Sequence, residues 1–95
     1  MIAKLRILGK LWIVKQQASK GSKDDGKCEF ATKIISVNPR QTEDSKRDTL
    51  LHEIMHALDE ELQTKMSERQ VRLQATGLIE VLRNNPALVA YLAGE

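Results

Sequence analysis

The chain has two histidines, and they stand four residues apart in His52-Glu53-Ile54-Met55-His56. On a helix, side chains at that spacing leave one face about 6 Å apart, so both imidazoles can close on a single tetrahedral zinc ion. Glu53 points about 100° further round the helix, where it reaches a water on the ion rather than the ion itself. Such a trio supports metal-assisted hydrolysis. The glutamate acts as general base, taking a proton from the zinc-activated water that attacks a carbonyl. The plain alternative is a pair of solvated histidines beside a glutamate.

A zinc of this type needs a third protein ligand, and no histidine remains to supply it. The same helix is a poor source. Glu60 lies two turns past His52, about 12 Å along the axis, and Asp59 and Glu61 fail in the same way. A second predicted helix carries Glu68, with Val71, Ala75, Leu78, Ile79 and Leu82 all within about 80° of it on the helical wheel. Glu68 therefore falls in an apolar stripe, where a carboxylate needs a partner to offset burial, and zinc would be one. Its position in the first helical turn also suits the helix dipole. Glu68 is the favoured ligand, with Cys28 and the run Asp59-Glu60-Glu61 as alternatives. The single cysteine, Cys28, excludes an intrachain disulfide and a CxxC zinc knuckle. It reads as a buried or half-exposed thiol, since no other histidine is present to activate it. Tyr91 as oxyanion donor, and Arg69 and Arg72 beside Glu68, are lesser candidates.

Elements that position these residues are legible on either side of the motif. Thr42 is an N-cap, with Glu43 and Asp44 in the first turn. The helix it opens runs to about Gln63 and buries Leu51, Ile54, Met55, Leu58 and Leu62. Ser67 and Gln70 form a capping-box pattern that opens the second helix, which runs to about Arg83 and ends at Asn84-Asn85-Pro86. A short last helix, residues 86–92, turns Leu88, Val89 and Leu92 back onto the body. Before the motif, residues 3–14 alternate with period two, which predicts extended structure with a bend or bulge at Gly9. Residues 16–26 form a turn or exposed loop, a short strand follows at 27–30, and residues 33–37 form the next, ended by Asn38-Pro39. The expected fold is α+β: a three-stranded antiparallel sheet packed on the HExxH helix and the second helix, as one domain over residues 1–95.

Composition narrows the function classes. With 29% charged and 41% hydrophobic residues among 95, the chain has the balance of a soluble globular domain. One Trp, one Tyr and one Phe leave few rings on which bases could stack, so a single-strand nucleic-acid binder is not expected. Net charge is +6 over residues 1–40 and −4 over residues 41–95. The basic half reads as the solvated side of strands and loops, and nucleic-acid binding would rest on it alone. The uncharged run Leu11–Val14 is too short for a signal peptide or a membrane span, so a cytoplasmic protein without a membrane partner is expected. A domain this small often leans on a metal or a partner subunit.

Thr49-Leu-Leu-His-Glu-Ile-Met-His-Ala57, followed by Glu68-Arg-Gln-Val71, resembles the small zincin-like metallopeptidases of phages and prophages, related to the ImmA/IrrE and SprT-like groups. The likeness extends over most of the chain, from the opening strands to a helix ending in Asn-Pro. It implies a gluzincin arrangement: zinc on His52, His56 and Glu68, Glu53 as catalyst, and a peptide or protein substrate, in the host cytoplasm if the protein is phage-encoded. The reading of a different class is a zinc-binding module without turnover that engages a host or phage protein.

Overall fold

The computed structural model describes residues 1–18 and 24–94, so part of the loop expected over residues 16–26 lies outside the described residues. The alternating run at the start is two strands rather than one. β1 (Lys4–Ile7) and β2 (Lys10–Gln16) pair antiparallel, and Ile7 lies opposite Lys10. The two residues between them, Leu8 (φ 51°) and Gly9 (φ 80°), both have positive φ, as a type I′ hairpin turn requires. A two-residue reversal also switches which parity faces inward. Leu5 lies opposite Trp12, so odd residues of β1 and even residues of β2 share one face. The core accordingly gathers Ile7, Trp12 and Val14 with Ile35, Val37 and Ala57.

β3 (Gly26–Glu29) and β4 (Ile34–Val37) complete a sheet of order β1-β2-β4-β3. β4 runs parallel to β2, from Ile13 opposite Ile34 to Gln16 opposite Val37, and β3 pairs antiparallel with the far side of β4. The sheet is thus four-stranded and mixed, which corrects the expected three-stranded antiparallel one. Two causes combine. The Leu8-Gly9 turn adds a strand, and β3 is the returning arm of a crossover long enough to bring β4 back parallel to β2.

Three helices follow. α1 (Glu43–Leu62) starts where Thr42 accepts a hydrogen bond from the Ser45 amide, and lies against β3 and β4. Thr49, Glu53 and Ala57 are its buried residues, while Leu50, Ile54 and Leu58 pack on the core from one side. The sheet-facing row continues from Leu58 to Glu61, which pairs with Lys10 and Lys33. Leu62, expected in the buried stripe, is turned out and 57% exposed. α2 (Glu68–Asn84) has the full capping box of Ser67 and Gln70 and buries Val71 and Ala75. α3 (Pro86–Leu92) leans on α2, and one covered row half-buries Leu88. Val89 and Leu92 are exposed, contrary to expectation. Among the described residues, no helix is long and apolar enough to cross a membrane.

Candidate metal centre

His52 and His56 fall on adjacent turns of α1, and their Nε2 atoms lie 3.1 Å apart. Glu68 reaches both from α2, with Oε1 2.8 Å from His52 Nε2 and Oε2 2.8 Å from His56 Nε2. The α1–α2 connection explains how it gets there. Gln63 ends α1 in the left-handed region (φ 55°), and the Asp59 carboxylate accepts hydrogen bonds from the Thr64 hydroxyl and, at 2.8 Å, from the Met66 amide. These bonds hold the Asp59 carboxyl below its usual pKa. Ser67 then caps α2 and fixes Glu68 in its first turn. At the other end of α2, Arg83 bonds Asp48 at 2.9 Å and the Asp44 carbonyl at 3.2 Å, so the two helices are tied at both ends.

The donor set fits a small divalent cation. Imidazole nitrogens and a carboxylate bring electron-rich atoms within 3.1 Å of one another, which is unfavourable unless a proton or a cation sits among them. Zinc bonds of about 2.0 Å set ligand separations of about 3.3 Å in a tetrahedron. The separations found here lie a few tenths of an ångström inside that figure. Glu68 departs from the sequence argument in one respect. Its side chain is 62% exposed, so burial is not what calls for a partner. It stands at the mouth of the α1–α2 groove, on the row of Val71 and Ala75, which are buried one and two turns further in.

Glu53 is the buried member of the group, 7% exposed, and one of its carboxylate oxygens lies within 4.8 Å of a ring nitrogen of His52 and of His56. Burial raises its pKa, and the neighbouring His56 and His52 oppose that rise. Its position depends on a close approach of backbone to helix. A methyl group on Gly26, at the start of β3, would lie 2.5 Å from Thr49 Cγ2 and 3.2 Å from Glu53 Cγ. Gln41 locks this junction. Its Oε1 accepts from the Thr49 hydroxyl at 2.8 Å and the Ser45 hydroxyl at 2.9 Å, and its Nε2 donates to the Asp25 and Asn38 carbonyls, each at 2.9 Å. One side chain thus ties α1 to the start of β3 and the end of β4.

The alternative ligands are engaged elsewhere or lie outside the group. Asp59 braces the helix connection, Glu61 pairs with Lys10 and Lys33, and Glu60 is exposed. Cys28 faces the core from β3, where burial, with Glu53 adding to it, pushes its thiol up to about 12. A cleft of about 460 Å³ opens over the site, and Arg72 lines it together with Asp24, Asp25, Asp48 and Thr76. Arg69 and Tyr91 are exposed and do not line it. Gly26 and Gln41 are functional-site residues that carry little signal in the sequence. The Asp24-Asp25-Gly26 triplet read as a turn, and nothing in the sequence marks the residue before an N-cap as a hub.

Residues 10–90 match the family described as the IrrE N-terminal-like domain, Peptidase M78. No curated protein and no solved structure matches the chain.

Proposed function

We propose that this chain, which belongs to the IrrE N-terminal-like domain family, is a zinc-dependent peptidase with Glu53 as its general base. The observation that carries this reading is the convergence of His52, His56 and Glu68 within 2.8–3.1 Å, beside a buried glutamate. His52, His56 and Glu68 would hold the ion, which as a Lewis acid polarises a carbonyl and makes water nucleophilic near neutral pH. Glu53 takes the proton that water gives up in attacking the scissile carbonyl, then delivers it to the leaving amine. Burial suits it to both steps, because a raised carboxyl pKa makes it a better base when ionised and a usable acid when protonated. Arg72, on the cleft wall, offers a cation to the charge that develops on the carbonyl oxygen.

The sheet supplies a way to hold substrate. β3 is an edge strand whose first residue, Gly26, lines the cleft. An extended peptide can add to that edge by main-chain hydrogen bonds, which needs no deep side-chain pocket.

The experiment is metal analysis with a peptide-library cleavage assay on wild type, Glu53→Gln and Glu68→Ala. Wild type should bind one zinc and cleave. Glu53→Gln should keep the zinc and lose about 10²–10⁴ in rate, while Glu68→Ala should lose metal affinity. Stoichiometric zinc with no library member cut would defeat the peptidase reading, and undiminished affinity in Glu68→Ala would defeat the ligand assignment.

A further inference from the structure

α1 covers one face of the sheet, and the strand register defines what the opposite face carries. Lys4, Ile13, Ile34 and Glu29 form one rung across all four strands, and Lys15, Ser36 and Lys27 form the rung beside it. Arg6 and Leu11 pair on the other side of the first rung. Leu11 and Ile13 are neighbours along β2, about 6.6 Å apart, and Ile34 adjoins Ile13 across about 4.8 Å. The three make one aliphatic patch, in which Leu11 is 47% exposed. Exposed Lys4, Arg6, Lys15 and Lys27 surround it. Glu29 is the one acid in these rungs, and it pairs with Lys27. Among the described residues, Lys4, Arg6 and Lys15 take part in no ion pair.

We infer that this face, which no helix covers among the described residues, docks an acidic amphipathic helix of a partner protein. Charge complementarity argues for that occupant, and the molecule contains a precedent for it. On the inner face, α1 lays Leu50, Ile54 and Leu58 on a cluster of Trp12 and aliphatic strand residues, while its Glu61 reaches Lys10 at 2.6 Å and Lys33 at 3.4 Å. The outer face repeats the strand half of that pattern, an aliphatic centre with a cationic margin. A helix with an apolar stripe flanked by Asp and Glu supplies the other half. Nucleic acid suits the face less well. It would press three aliphatic side chains against phosphates, and the one aromatic residue of β2, Trp12, is buried on the inner face. A lipid surface suits it less well too, because Ile13 and Ile34 are half-buried in the sheet and do not project to enter an acyl layer. The surface lies across the sheet from His52, so this inference and the peptidase reading stand or fall separately.

An amide NMR titration of the full chain tests it. The probe is a synthetic helical peptide with leucines on one face and glutamates flanking them. Comparison arms are the same peptide with lysine for glutamate, a short DNA duplex, and vesicles of phosphatidylcholine with phosphatidylglycerol. The acidic peptide should shift residues of the Lys4–Arg6, Leu11–Lys15 and Ile34–Ser36 segments and bind more weakly as salt rises. Lys4→Glu with Lys15→Glu should raise Kd at least about tenfold. Leu11→Ser, at an exposed position that tolerates a polar group, should raise it about threefold. Circular dichroism checks the fold of each variant, and Leu11→Ser serves alone if the double reversal does not fold. The inference is overturned by tighter binding of DNA or vesicles, by shifts confined to α2 and α3, by dimerisation of the chain through this face, by Kd unchanged in the variants, or by no shift up to about 1 mM peptide.

Discussion

Gly26→Ala tests the junction on which Glu53 depends. The added methyl would sit 2.5 Å from Thr49 Cγ2, 3.1 Å from the Ser36 carbonyl oxygen and 3.2 Å from Glu53 Cγ. The first contact is about 1 Å short of ordinary van der Waals separation. Thr49 cannot swing away freely, because it is buried and its hydroxyl is held by Gln41. Relief therefore requires α1 to lift from β3, and overpacking of that kind costs about 1–3 kcal/mol. For a domain this size, a cost near 2 kcal/mol lowers Tm by roughly 10 °C. The contact has one dominant partner, so a double mutant can isolate it. Thr49→Ser deletes Cγ2, keeps the hydroxyl, and should cost less than about 1 kcal/mol alone. In the Gly26→Ala background the same change should recover about 1 kcal/mol, an opposite sign that additivity forbids. Thermal unfolding of the four proteins is the assay. A Gly26→Ala midpoint within about 2 °C of wild type, or additive costs in the double mutant, would show that the Gly26–Thr49 contact does not set the fit of α1 on β3.

Three further outcomes are expected. Leu8→Asn should raise stability by about 1 kcal/mol in urea unfolding, because an exposed leucine at φ 51° holds a left-handed conformation that asparagine adopts more readily; a loss would contradict the turn assignment. Gln41→Ala should cost about 1–3 kcal/mol by stranding the buried Thr49 hydroxyl, while the Asp25 carbonyl keeps its bond from the Asn38 amide. Hydrogen exchange should then quicken in β3 ahead of β1, and equal quickening in both would count against a local lock. With its thiol raised to about 12, Cys28 should be about one part in ten thousand thiolate at pH 8. A thiol reagent should label it slowly in the native protein and quickly once unfolded, and fast native labelling would show the thiol to be accessible.

The helices were legible in the sequence because their ends are written in local chemistry. Thr42, the Ser67–Gln70 box and Pro86 each act within one turn, and α1, α2 and α3 begin where those residues put them. The sheet was less legible because its decisive event is a two-residue turn containing only one glycine. Leu8 accepts a positive φ that its type disfavours, so the Ala3–Val14 alternation passed for a single strand. Parallel pairing of β2 with β4 depends on a crossover, which no local pattern encodes. At the site, the spacing of His52 and His56 foretold their shared face, and the capped start of α2 explains why Glu68 faces them. Glu68 is exposed despite lying in the apolar stripe, because a helical wheel gives direction around an axis and not depth along a groove. Gly26 and Gln41 escaped notice for a related reason. Their importance lies in contacts across the chain, with Thr49 and Glu53 for one and with Asp25, Asn38, Ser45 and Thr49 for the other.

The attachment of α2 connects the small core to the site. α2 lies against α1 and α3, and it buries only Val71 and Ala75. One fully buried valine is worth roughly 1.5–3 kcal/mol, little against the conformational entropy of ordering a helix of this length. The polar contacts at its two ends therefore bear more of its placement than such contacts usually do. Arg83 on Asp48 is a partly exposed ion pair, and pairs of that kind contribute about 0–1 kcal/mol. Glu68 on the two histidines would be no stronger as a bare ion pair, because its carboxylate is well solvated. The same three side chains would form a clamp across the α1–α2 groove if they closed on a cation, since binding to the folded state adds directly to stability. A geometry that would be weak as a salt bridge and stronger around a cation, on a helix that buries only Val71 and Ala75, is the physical reason to propose His52, His56 and Glu68 as ligands.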